Sequence, residues 1–414
     1  LLEQIDPHFL FNSLNSLYAL IRCNPEQARE FTLTLSKVYR HVLERRKQIL
    51  STLAEEIDFT WQYYSLQKIR FGDRIELTTA IDPALRNWRI PSMSLQTLVE
   101  NAVKHNSITG GNPLHIRIRT EGESFLIPTW HWGPYREMAT EYHRNWVMYD
   151  MFDKDNKFNI AGMKEKAMEI LAKQDSLMAI FNTPANNPSG YSMTNEDWKE
   201  VTDFFRECAK DTGKKIIILW DMAYIDYAGD PHETRDFLKY FEDMPENILT
   251  AIAFSMSKAF SVYGMRGGAL FCLTTVKQIA DEFEQVNTYS NRTTWSNGAR
   301  GVQKMLVEIM THPEIKEQID RERNEASRML AKRAEVFLKE ADEVGLYHLP
   351  YQAGFFITVP AKDTAGLAAK LAERNIFVIP LAKAIRFAIS AVPSRQIPGL
   401  ATAAKELFAG HEPD

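Results

Sequence analysis

Over the first 70 residues apolar positions recur at helical spacing. Phe9, Leu10, Leu14, Leu17, Leu20 and Ile21 follow it, and Asp6-Pro7 supplies an N-cap with proline at the first helical position. Further helices are predicted over about 27–46 and 53–69. The pattern then switches to alternation over 74–81 and over Leu114–Arg119, which predicts strands, with a helix over about 94–106 between them. Beyond Phe125 the texture changes again. Short apolar runs over 177–181, 215–220, 249–254 and 269–273 read as strands, and the stretches 196–211 and 231–241 read as helices. That alternation predicts an α/β fold with a mostly parallel sheet flanked by helices. One long helix over 299–344 then leads to a small α+β region with strands over 354–359 and 385–389.

Composition narrows the function classes. A chain of 414 residues with 45% hydrophobic content fills two or three ordinary cores. A net charge of -5 supplies no basic field for nucleic acid or an anionic membrane, so a small-molecule or protein partner is expected. Cys23, Cys208 and Cys272 are widely separated and form no C-x-x-C pair, which argues against a disulfide framework or a metal site and fits a cytoplasmic protein. No apolar run reaches the roughly 20 residues that span a bilayer. The start, Leu1-Leu2-Glu3-Gln4, shows neither a leader pattern nor an initiator Met and reads as a fragment.

Loops at the carboxyl ends of parallel strands are where α/β proteins place their chemistry. After the first apolar run comes Asn186-Asn187-Pro188-Ser189-Gly190, after the second Asp221-Met222-Ala223-Tyr224, and after the third Ser255-Met256-Ser257-Lys258, followed by Arg266 in a glycine-rich turn. These residue types suit pyridoxal 5'-phosphate, whose aldehyde needs an amine, whose ring nitrogen needs a carboxylate, and whose phosphate needs hydroxyls and a guanidinium. On that reading Lys258 forms the Schiff base and moves the proton, and Asp221 holds the ring nitrogen protonated. Tyr224 and Asn187 bond the ring oxygen, Ser255, Ser257 and Arg266 hold the phosphate, and Arg386 offers a fork for a substrate α-carboxylate. A lone lysine or aspartate after a strand is usually a solvated side chain or a helix cap; the ordered set is what lifts these above that reading.

From about Phe125 to Phe408 the ordered motifs Asn-Pro-x-Gly, Asp-x-Ala-Tyr, Ser-x-Ser-Lys, Gly-x-Arg-x-Gly and a late Arg resemble class I aminotransferases of fold type I. The resemblance implies amino-group transfer between an amino acid and a 2-oxo acid. It implies Trp132 of Trp-Gly-Pro-Tyr as the aromatic stacking on the cofactor, with Trp130 as the fallback. It implies Arg292 as a contact for a dicarboxylic side chain, and a homodimer. A glycine-rich turn opening a phosphate-binding helix, usual before the stacking aromatic, is not recognisable here, so the resemblance implies impaired activity.

Upstream, Gln4-Ile5-Asp6-Pro7-His8-Phe9-Leu10-Phe11-Asn12 puts a histidine on the first turn of a helix, where a capping or core role is the usual reading. With Lys68 to Arg74 and Leu98-Val99-Glu100-Asn101 it resembles the LytS-type sensor histidine kinases. That resemblance implies His8 as phosphoacceptor, Glu100 and Asn101 on Mg²⁺-ATP, and a response-regulator partner. The glycine motifs that complete a nucleotide pocket do not follow Arg119. The combined expectation is four segments: a helical phosphoacceptor segment 1–70, a partial ATP-binding fragment 71–122, a cofactor-binding large domain 123–300 and a small domain 301–414. Three readings stand: a pyridoxal-phosphate-dependent aminotransferase working through Lys258, a truncated histidine-kinase module, and a non-functional fusion or assembly artefact whose seam lies near Gly122. The first keeps the most chemistry.

Overall fold

The computed structural model describes residues 7–45, 50–106, 108, 113–120 and 122–412. The chain forms two compact units, Leu1–Gly122 and Glu123–Asp414.

In the first unit α1 (Pro7–Cys23) and α2 (Pro25–Arg45) are separated by Asn24, whose Oδ1 accepts from the Gln27 backbone N at 3.1 Å and so caps α2. A short strand β1 (Leu50–Thr52) leads into α3 (Leu53–Phe71). Thr52 and Glu55 close a reciprocal capping box there, and Gly72 at φ 60° ends the helix. β2 (Ile75–Ala80), β3 (Arg89–Pro91), α4 (Ser94–His105) and β4 (Leu114–Arg119) complete the unit. β1 pairs antiparallel with β3, and β2 pairs parallel with β4. Phe31, Leu35 and Val38 of α2 pack with Phe59 and Leu66 of α3 as one core. Tyr64, Ile75 and Leu77 form a second, against Val103, Leu114, Ile116 and Ile118.

The second unit runs β5 (Ser124–Pro128), α5 (Pro134–Glu141), β6 (Asn145–Tyr149), α6 (Ile160–Leu171), β7 (Ser176–Asn182), α7 (Asn195–Cys208), β8 (Lys215–Asp221), β9 (Ile248–Ser255), α8 (Met256–Ala259) and β10 (Gly268–Leu273). There follow α9 (Lys277–Thr294), α10 (Arg300–Thr311), α11 (Pro313–Glu343), β11 (Phe356–Pro360), α12 (Thr364–Glu373), β12 (Ile379–Leu381), β13 (Ala384–Ala388) and α13 (Leu400–Leu407). The main sheet has the order β10-β9-β8-β7-β5-β6. All its pairs are parallel except β10 with β9, which makes the predicted mostly parallel, helix-flanked α/β sheet. Trp198 of α7 and Trp220 of β8 lie at the centre of its core with Phe181, Phe205, Phe237 and Phe241. The small antiparallel sheet, β11-β13-β12, packs Ile357, Val359, Ile385 and Phe387 against Phe337 of α11, Leu367 and Leu371 of α12 and Ala404 of α13.

Three expectations are corrected. The segment predicted as a helix over 231–241 is a 3-10 helix over Glu233–Phe241. The single helix predicted over 299–344 is two, because Pro313 disfavours helical backbone at His312, which sits at φ -116° and ψ 99°. Gly354 at φ 98° stands outside the strand predicted from 354, which begins at Phe356. Among the described residues no helix is long and apolar enough to cross a membrane.

Candidate active site

Three neighbouring strands deliver their polar ends to one place. β8 ends on Asp221, which burial holds above the ordinary carboxyl value. Donors oppose that rise: Tyr135 Oη donates to Oδ2 at 2.5 Å, the Ala223 backbone N donates to Oδ1 at 3.0 Å, and Lys258 adds a positive charge. The loop after β7 supplies Asn187, whose backbone N donates to Asn182 Oδ1 at 2.7 Å and whose Nδ2 donates to Tyr224 Oη at 3.4 Å. Gly190 closes this loop at φ 79°, where a side chain would strike the Tyr351 ring.

β9 passes into α8 through Ser255, and α8 carries the buried Ser257 and then Lys258. The Lys258 ammonium lies 4.7 Å from the centroid of the Tyr263 ring. Burial, and after it the Arg266 cation, lower the Lys258 pKa from the ordinary lysine value, while Asp221 pulls the other way. Arg266 takes left-handed backbone at φ 52° and donates from Nη1 to Tyr263 O at 3.1 Å and to Ser257 Oγ at 3.4 Å.

Arg386 reaches the same place from β13. Its Nη1 donates to Asn187 Oδ1 at 2.6 Å and its guanidinium lies 4.1 Å from the Phe356 ring centroid. Its Nε is buried without a hydrogen-bond partner. A buried donor left unsatisfied is costly, and on a forked cation it marks a place that an anionic ligand would complete. The donor set therefore fits a ligand with a carboxylate near Arg386 and an electrophile near a lysine of lowered basicity.

Trp132 is 41% exposed and meets Tyr135 edge-on, with ring centroids 5.5 Å apart. Trp130 packs instead against the main core. Arg292 stands apart from this cluster in its bonding. It lies in the last turn of α9, a helix without buried residues among those described, and donates to Ser296 Oγ and O at 3.0 and 3.3 Å. In the first unit His8 belongs to α1, but its side chain lies outside the described residues. Residues 1–6 and 46 lie outside them too. Glu100 on α4 accepts from Gln96 Nε2 at 2.6 Å, and Asn101 beside it is exposed.

Sequence reasoning missed Tyr135, Asn182, Tyr263 and Phe356 as members of the cluster. Tyr135 alone carried a local signal, three residues after Trp132 in a quoted motif. Asn182 ends a strand, where its side chain reads as a cap.

Known proteins match this chain in two ways. The family model for aminotransferase class I and II matches residues 97–403, and the histidine kinase model matches residues 1–75. The crystal structure of an aminotransferase from Anaerococcus prevotii superposes with a TM-score of 0.68 at 37% identity, covering 70% of this chain and 70% of that one. The sensor histidine kinase BtsS of Escherichia coli K12 is 36% identical over 126 residues, 30% of this chain and 22% of that protein. The sensor histidine kinase/phosphatase LytS of Staphylococcus aureus is 41% identical over 102 residues, 25% of this chain and 18% of that protein. The chain thus spans about a fifth of the length of these curated relatives. With a family model covering most of its length and the Lys258, Asp221 and Arg386 cluster inside the matched region, the chain belongs to the class I and II aminotransferases, joined at its start to a stretch similar to sensor histidine kinases.

Proposed function

We propose that this chain transfers an amino group between an amino acid and a 2-oxo acid with pyridoxal phosphate. When bound, that group supplies an aldehyde for amine attachment and a ring that withdraws electrons. The observation that carries the reading is the buried, unpartnered Nε of Arg386, held by Asn187 in the cluster that also contains Lys258 and Asp221.

Lys258, with its lowered pKa, keeps more neutral amine available than an exposed lysine and would later hold the moving proton at Nζ. Asp221 would face the ring nitrogen with its charge, Tyr224 and Asn187 the ring oxygen, and Trp132 the ring face. Ser255, Ser257 and Arg266 would hold the phosphate, Arg386 would orient the substrate α-carboxylate, and Arg292 would serve a dicarboxylic side chain from a second copy in a homodimer. A cytoplasmic location accords with these substrates. Binding is expected to be weak, because these three residues are the phosphate ligands assigned among those described.

Titrating the chain with pyridoxal phosphate and following visible absorption tests this. A saturable band that vanishes in Lys258→Ala, with slow conversion of an amino donor, is expected. A band of equal size in Lys258→Ala would refute the assignment, and absence of any band would favour a non-functional junction of two gene pieces.

The match over residues 1–75 favours a second reading for the first unit, a histidine-phosphoacceptor module at His8 with a response regulator as partner. Glu100 and Asn101 would contact Mg²⁺-ATP. We expect no self-phosphorylation; acid-labile label from γ-labelled ATP that disappears in His8→Gln would overturn that expectation.

A further inference from the structure

Tyr135 takes no part in the assignments above, yet it makes a hydrogen bond of 2.5 Å across 86 residues, from its Oη to Asp221 Oδ2. We propose that Tyr135 is a positioning residue that keeps the Asp221 carboxylate ionised and fixed in orientation at the candidate site. The proposal rests on the reading of Asp221 as the ring-nitrogen partner.

The geometry is specific. Pro134 at the first position of α5 sets the backbone, and the next residue, Tyr135, is 5% exposed, with Phe125, Ile127, Ala139 and Ile180 around it. Its ring meets Trp132 edge-on, so the donor to Asp221 packs directly against the aromatic beside the site. Asp221 then accepts on both oxygens, from the phenol on Oδ2 and from the Ala223 backbone N on Oδ1, which fixes the carboxylate plane.

Charge state follows from the same contacts. Burial, then the charge of Asp221, push the Tyr135 hydroxyl far above its ordinary pKa. It therefore remains a neutral donor at every working pH. Burial pushes Asp221 upward as well, and Tyr135 is the foremost of the groups opposing that rise. Losing the hydroxyl while keeping the ring should move Asp221 toward protonation, and a protonated Asp221 gives no charge to a cationic ring nitrogen.

The test uses the full chain carrying ¹³Cγ-aspartate, titrated without cofactor, with the Asp221 resonance assigned by its loss in Asp221→Asn. Tyr135→Phe preserves the buried ring and removes one oxygen. Its Asp221 midpoint is expected at higher pH than in the unmodified chain, and Tyr135→4-aminophenylalanine, which restores a neutral donor, should bring it back. In a second arm, pyridoxal phosphate should bind Tyr135→Phe about tenfold more weakly at neutral pH, with a larger deficit in acid. An Asp221 midpoint in Tyr135→Phe that coincides with the unmodified chain would overturn the proposal. Unchanged cofactor binding in Asp221→Asn would instead overturn the cofactor reading, and the titration without cofactor would still decide the role of Tyr135.

Discussion

Replacing Asn187 by alanine asks whether the loop after β7 and strand β13 are held together through one amide. Asn187 Oδ1 accepts from Arg386 Nη1 at 2.6 Å, and Asn187 Nδ2 donates to Tyr224 Oη at 3.4 Å. Alanine keeps the backbone bond to Asn182 and removes these two. The Tyr224 contact is long and contributes little. The Arg386 bond is short and charge-assisted, a type that contributes about 1.5–3 kcal/mol. Arg386 is only half-buried, so water replaces part of the loss, and the expected cost is toward the lower end, about 1.5–2 kcal/mol. The guanidinium already has one unpartnered nitrogen, so a second lost contact is not easily absorbed. The assay is urea unfolding of the cofactor-free chain, followed on the transition that exposes Trp198 and Trp220. Arg386→Met and the double variant complete a cycle, and a coupling of about 1.5 kcal/mol is expected. Additivity of the two single effects within about 0.3 kcal/mol would refute the reasoning.

Three further outcomes follow from other contacts. The neutral fraction of Lys258 grows as pH rises through a pKa below the ordinary lysine value, so the rate of cofactor attachment should rise over that range. Arg266→Gln, which removes a cation that lowers this pKa, should move the midpoint up, and Asp221→Asn, which removes an anion that raises it, should move it down; midpoints unmoved in both would count against the coupling. Thr52→Ala opens the capping box of α3 and should cost about 1 kcal/mol in thermal unfolding of the first unit, with an unchanged transition contradicting the cap. β10 is the last strand of its sheet, and Leu270, Phe271 and Leu273 on it are 45%, 49% and 41% exposed. An open apolar edge of this kind templates pairing between chains, so Phe271→Lys should lower self-association in sedimentation, and an unaltered distribution would exclude the edge as its cause.

Much of the fold was legible because burial imposes periodicity. β7 and β8 bury side chains in clusters on both faces of the sheet, Ala179 and Ile218 on one and Ile180 and Leu219 on the other, so they read as unbroken apolar runs, and helices α2 and α3 show their buried faces at helical spacing. β6 and α9 were not picked out. β6, Asn145-Trp146-Val147-Met148-Tyr149, is apolar but is a five-residue edge strand without the alternation of a half-buried strand, and α9 buries no residue, so packing writes no apolar face into it. The polar residues after each strand were legible for a related reason, since parallel sheets gather the ends of their strands along one edge.

The sequence alone determined the order of chemical groups: an amide, a carboxylate, a lysine and two arginines, each following an apolar run or set in a turn or strand. Only the tertiary structure decided which of them touch. That Asn187 accepts from Arg386, 199 residues later, and that Asp221 accepts from Tyr135, 86 residues earlier, depend on sheet order and on where β13 and α5 pack. That β10 runs antiparallel to β9, and that Arg266 takes left-handed backbone in the connection between them, is seen only in the structure. Local spacing encodes contacts within one helix or one strand. A hydrogen bond between distant segments is set by the packing of everything between them, and that packing selected Tyr135, which the sequence had shown only as the end of a motif.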